Sequence, residues 1–283
     1  MSGTGARLRC EFRIAGERWL VEGLEASSLG EWARGPRARD TEKEFDVRVR
    51  ARPDKVGSRK VAVTGSPGGV FRLTAEDFSC EVTSSLDRVE VRGEAPALAD
   101  GARAGVRLCA LLRCLSGGGL ALHASCVAKD EGEGARAFVL AGPSGAGKTT
   151  AAGHASAAGA RVLADDLVML RRDRSSAIWR ASGLPWEAGA GLAGKGEPVR
   201  ATALVRIVPA GEYSLSRVRG ARAAALALAC PPESLGVETR RIVISTARMV
   251  DELPVFRAAL PEGPEAVARM LGEAREAAEG PAA

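Results

Sequence analysis

Aromatic side chains make up only 4% of this 283-residue chain: six Phe, four Trp and one Tyr. That leaves little material for a platform on which nucleic-acid bases stack. Histidine is scarcer still, at two residues, so a second metal centre built from imidazoles and carboxylates is poorly supplied. Of the 40 basic residues only six are Lys; the arginines are mostly scattered singly among Glu and Asp. A net charge of +5 therefore reads as a solvated surface, and no nucleic-acid partner is expected. The six cysteines (Cys10, Cys80, Cys109, Cys114, Cys126 and Cys230) contain no CxxC pair and no metal-ligand spacing. Cys109, Cys114 and Cys126 sit among apolar neighbours and read as reduced core residues. No run of 18 apolar residues exists, so no membrane span is expected. The first twenty residues lack the apolar core of a secretory leader, which makes the cytoplasm the expected location.

What is present suits a globular protein. Hydrophobic content is 46%, and the length is about right for two domains. Period-two alternation marks residues 7–24, 45–51, 60–64, 70–73, 78–82 and 88–91 as strands. Residues 25–43 are polar, with Gly and Pro, and read as a loop. Residues 97–115 carry apolar side chains at helical spacing and end at three glycines. Beyond them, strands at 120–128, 137–141, 161–163, 167–170, 202–208, 240–245 and 255–257 alternate with helices at 149–158, 220–229 and 265–279. This divides the chain into a small β-rich domain, 1–96, with a docking or adaptor role, and an α/β domain, 97–283.

Residues 142–149, Gly-Pro-Ser-Gly-Ala-Gly-Lys-Thr, fill every fixed position of the phosphate-loop pattern GxxxxGK[ST]. An apolar strand precedes them and an Ala-rich helix follows, which is the setting the pattern needs. Gly142, Gly145 and Gly147 let the backbone aim N–H groups at phosphate oxygens, and the helix start adds its dipole. On this reading Gly142, Pro143, Ser144, Gly145, Ala146, Gly147, Lys148, Thr149 and Thr150 hold a nucleoside triphosphate. Lys148 reaches the β- and γ-phosphates, and the Thr149 hydroxyl binds Mg²⁺. No Asn-Lys-x-Asp segment for guanine is present, so ATP is the expected nucleotide.

Asp165 and Asp166 end the next strand. Neighbours on an extended chain point to opposite faces, so one is expected to face the metal and phosphates while the other serves as base or caps a helix. His123 lies mid-strand just before the loop strand. It reads equally well as a satisfied core residue and as a group that tunes an aspartate.

Taken together, Leu122-His123-Ala124-Ser125, the GxSGxGKTT form at 142–150 and Leu163-Ala164-Asp165-Asp166 resemble the catalytic domain of the HPr serine kinase family, in its short form found near biosynthetic genes. The resemblance covers about residues 110–260. It implies an α/β phosphate-loop fold of HPr kinase and phosphoenolpyruvate carboxykinase type behind the small β-rich domain. It implies catalytic roles for Asp165 (the base), Asp166, His123 and Lys148, and metal contacts from Thr149, Asp166 and Glu187 of the Pro-Trp-Glu segment. It also leaves self-association as an open expectation. The Arg- and Gly-rich signature tied to phosphate reversal is absent, so phosphorylase activity and HPr as substrate are not expected.

Two functions follow. The first is an ATP-dependent kinase that phosphorylates a hydroxyl on a peptide, a protein or a small molecule. The alternative is an ATP-binding regulatory or assembly module with slow or no phosphotransfer. The paired aspartates favour transfer.

Overall fold

The computed structural model describes residues 8–14, 17–24, 44–51, 62–64, 69–93, 95–130, 134–173, 175–184, 198–228 and 239–280. The chain divides into two compact units, Met1–Arg113 with Leu235–Val237, and Cys114–Ser234 with Glu238–Ala283.

In the first unit seven strands form one sheet: β1 (Leu8–Ile14), β2 (Glu17–Leu24), β3 (Glu44–Ala51), β4 (Ala62–Thr64), β5 (Phe71–Thr74), β6 (Phe78–Val82) and β7 (Arg88–Gly93), in the order β1-β2-β3-β7-β6-β5-β4. Alternation decides which side chains turn inward. Phe71, Leu73, Phe78, Cys80, Val82, Val89 and Val91 are buried, while Arg72 and Glu81 pair across the exposed face at 2.8 Å. Helix α1 (Ala95–Ser116) buries Ala102, Val106, Cys109 and Leu112 at helical spacing. The boundary between the units falls inside this helix, after Arg113.

The second unit is a mixed α/β layer built on eight strands. In chain order its elements are β8 (Leu120–Lys129), β9 (Arg136–Ala141), α2 (Lys148–Ala157), β10 (Arg161–Ala164), β11 (Leu167–Arg172), β12 (Trp179–Ser182), β13 (Val199–Pro209), β14 (Ser214–Val218), α3 (Gly220–Leu228), α4 (Thr239–Glu252), β15 (Val255–Leu260) and α5 (Pro264–Glu279). Strands β9, β13 and β15 run parallel, and β8 pairs antiparallel with β9 on one side and with β10 and β11 on the other. Pairings β8–β11–β12–β13–β9–β8 close on themselves.

Both faces of this sheet are covered, so its central strands read as continuous apolar runs. On one face Phe138, Leu140, Val205 and Phe256 pack with Ala151 and Ala155 of α2 and with Val267, Met270 and Leu271 of α5. On the other, Leu122, Val139, Leu204 and Trp179 pack with Ala223 and Ala227 of α3 and Met249 of α4. Burying one leucine-sized side chain in such a core stabilises by about 1.5–3 kcal/mol.

Three elements depart from the sequence expectation. Residues 240–245 were expected as a strand, because Ile242-Val243-Ile244 is β-branched. They form part of α4 instead, since Ser245, Thr246 and Met249 are its buried positions and tertiary packing overrides local propensity. Strands β12 and β14 were not expected at all. Both are short, and in β14 only Val218 is buried.

Candidate functional site

Strand β9 leads through residues 142–147 into α2, and this junction is built from backbone. Gly147 caps α2 with φ 84°, in the left-handed region, and no side chain caps the helix. Gly145 has φ 77°. Glycine alone takes this geometry without cost. Ala146 N–H donates to Pro143 O at 3.2 Å, closing the turn. The uncapped first turn of α2 leaves N–H groups pointing out of the loop, where an anion is favoured. Lys148 is 7% exposed, and its Nζ donates to Gly142 O and Pro143 O, each at 3.0 Å.

Opposite lies the seam between β8 and the β10–β11 pair. Register slips between Val162 and Ala164, which partner Val127 and Cys126. This bulge at Leu163 turns the chain end outward. Asp165 and Asp166 form the bend that follows, and Ala124 N–H donates to Asp166 O at 3.1 Å. Each carboxylate then meets a side chain from β8. Ser125 Oγ donates to Asp165 Oδ1 at 2.5 Å, and His123 Nδ1 lies 2.8 Å from Asp166 Oδ1.

His123 and Ser125 are two apart on a strand and so share one face. The expectation that the adjacent aspartates point to opposite faces is therefore corrected. Residues 165 and 166 are a bend rather than extended strand, and both carboxylates turn to the same face of β8. The Nδ1 contact leaves Nε2 as the outward nitrogen of His123, whose side chain is 43% exposed.

A hollow of about 290 Å³ joins the two halves. It is lined by Ser144, Gly145, Gly147, Lys148, Thr149 and Thr150 on the loop side, and by His123 and Asp165 on the strand side. Gly142, Pro143 and Ala146 sit in the loop, the first two turning carbonyls to Lys148; Asp166 stands one step back, against His123. His154 lies further along α2 and is not among the lining residues. Glu187 lies outside the described residues.

A contact at Gly183 holds the bulge. A Cβ there would stand 2.3 Å from Leu163 O and 2.5 Å from the Ala164 Cβ. No side chain fits, and Leu184 beside it is fully buried. Cys126, on the opposite face of β8, is sealed in the core; burial pushes its thiol up to about 12, which removes it as a nucleophile.

Among the described residues no group of three or more His, Cys, Asp or Glu could hold a metal ion. Oxygen donors are nevertheless present: Thr149 and Asp165 line the hollow, and the Asp166 carboxylate lies behind it against His123. Such a set suits Mg²⁺, which keeps several waters and takes phosphate oxygens instead of entering an all-protein cage.

Two residues escaped the sequence reading: Ser125, quoted within a motif without a role, and Gly183. A His-x-Ser spacing on a strand was the available signal for the first. The second carried none, because its partner is a backbone carbonyl distant in sequence.

No protein-family model matches the chain, and no curated protein matches it. Among solved structures it is similar to the Hpr(Ser) kinase/phosphatase from Coxiella burnetii. That match has 12% sequence identity and a TM-score of 0.33, spanning 56% of this chain and 99% of that one. Among the described residues no helix is long and apolar enough to cross a membrane.

Proposed function

We propose that the second unit binds ATP with Mg²⁺ at residues 142–150 and transfers the γ-phosphoryl group to a hydroxyl. The observation that carries this reading is the shared hollow. A loop suited to phosphate and an aspartate suited to deprotonate a hydroxyl line the same space.

The roles divide by chemistry. The loop N–H groups and the start of α2 receive phosphate oxygens. Lys148 exchanges its two neutral carbonyl acceptors for phosphate, an acceptor of opposite charge. Thr149 and Asp166 are the side chains assigned to Mg²⁺, which when bound would spread the charge of the phosphates. Glu187 remains a further candidate for that shell. Asp165 accepts the proton of the acceptor hydroxyl as the oxygen–phosphorus bond forms and the bond to ADP breaks. His123, held by Asp166 through Nδ1, keeps a polar Nε2 at the rim and assists the base. The acceptor class is a Ser or Thr of a peptide or protein, or a small-molecule hydroxyl; a nucleic acid or a membrane is not part of this reading.

The test is incubation with γ-labelled ATP, Mg²⁺ and candidate hydroxyl acceptors, read by mass spectrometry. Transfer that disappears in Asp165→Asn, with nucleotide still bound, supports the kinase. Tight ATP binding with no phosphorylated product from any acceptor moves the assignment to a nucleotide-binding regulatory module.

A further inference from the structure

We infer that Ser125 is a positioning residue for Asp165, fixing which carboxylate oxygen is offered to the hollow. This deepens the kinase reading and rests on it.

The geometry sets up a division of labour. A carboxylate has two oxygens, and either can swing outward when the side chain rotates about its terminal bond, a broad and soft torsion. Here Oδ1 accepts the Ser125 hydroxyl at 2.5 Å, which commits that oxygen to the strand behind it. Oδ2 is left for an incoming hydroxyl. Ser125 is itself 0% exposed, so the hydroxyl cannot be a phosphoryl acceptor: no phosphate can reach it in line.

Position on β8 adds the rigidity such a role requires. Ser125 pairs with Leu140 of β9, two residues before the loop begins, and Cys126 beside it pairs with Ala164 of β10. The hydroxyl is thus referenced to both the loop strand and the aspartate strand. Movement of Asp165 relative to Lys148 and Thr149 is resisted by the sheet through one side chain. His123 holds the neighbouring Asp166 in the same manner. That pair is far more open, with side chains 43% and 42% exposed, so solvent competes for it and less constraint is expected.

Conversion of MgATP to ADP and inorganic phosphate, with water as acceptor, provides the assay, together with calorimetric binding of a non-hydrolysable ATP analogue. Ser125→Ala should lower kcat about ten- to hundredfold, the value of a hydrogen bond to a charged group. KM and analogue affinity should stay within about twofold. In an Asp165→Asn background the same substitution should cost less than about twofold. Ser125→Cys keeps the volume and a weak donor and should fall between; it also carries the test if the alanine variant does not fold. A crystal structure of either variant should show the Asp165 carboxylate turned from its present orientation.

Several results would overturn the inference: unchanged kcat in both variants, an equal loss in the Asp165→Asn background, or nucleotide binding that weakens in step with turnover. If those appear while the wild-type protein turns over ATP, only the role of Ser125 falls. A wild-type protein that binds the analogue yet forms neither ADP from MgATP nor a phosphorylated product with any hydroxyl acceptor removes the kinase reading and this inference together.

Discussion

The loop side of the hollow and its carboxylate side are made by different means. Residues 142–150 are one contiguous stretch, and their geometry is mostly backbone: positive φ at Gly145 and Gly147, loop carbonyls on Lys148, an uncapped helix start. The carboxylate side is a meeting of three strands. Ser125 and Asp165 are 40 residues apart, and Gly183, against which the bulge packs, comes from a third segment of the chain. The first kind of site tolerates drift elsewhere in the fold, since its parts travel together. The second depends on strand register, because a slip of one residue would turn His123 and Ser125 to the opposite face.

The largest expected effect would separate the two sides by function. Asp165→Asn should reduce phosphotransfer by about 10²–10⁴-fold, the usual worth of a general base, with ATP affinity nearly unchanged by calorimetry. Lys148→Ala should do the reverse, raising the Kd for ATP about ten- to hundredfold. If both substitutions act on binding alone, the two sides are not divided as described.

A glycine pair sharpens the same contrast through stability. Gly183→Ala forces a Cβ against a backbone carbonyl and should cost about 1–3 kcal/mol in chemical denaturation, with loss of turnover because the bulge carries Asp165. Gly147→Ala meets nothing within 4 Å, so only its left-handed backbone is penalised, by about 1–2 kcal/mol. A larger cost at Gly147 than at Gly183 would break the distinction between strain in the loop and crowding at the seam.

The smallest effect serves as a control away from the hollow. At the end of α4 the Arg172 Nε donates to Glu252 Oε2 at 2.7 Å and Trp179 Nε1 donates to the same oxygen at 2.8 Å. The Arg172 bond first, then Trp179, holds the Glu252 carboxyl below its usual range. A lowered carboxylate contributes stability that is present above the unfolded value, near 4.3, and is lost as pH falls through the folded one. Glu252→Gln should therefore lower Tm slightly at pH 7, and the gap from wild type should close below about pH 4. ATP turnover at neutral pH should not move. A gap that widens in acid would reverse the assigned cause.

How much could be read in advance follows the same division. Strands β6, β9 and β10 and helices α1, α2 and α5 were legible within a few residues, because each has a clean period or a terminal glycine. Helix α4 was not, since Ile242-Val243-Ile244 imitates a strand until Ser245, Thr246 and Met249 are seen to face the core. At the site, the loop residues and both aspartates were visible as motifs. The pairing of Ser125 with Asp165 and of His123 with Asp166 was not, because nothing in either segment states which strand lies beside it.

By itself, then, the order of residues determined the turn at 142–147 and the start of α2, since glycine at a left-handed position and a lysine one step later are local facts of backbone sterics. Tertiary structure alone decided that the two aspartates meet the same face of β8 and that Asp165 shares a hollow with that turn. Their direction depends on a bulge at Leu163, on the antiparallel register with β8 and on the bare backbone of Gly183, and each of these exists only once distant strands have paired.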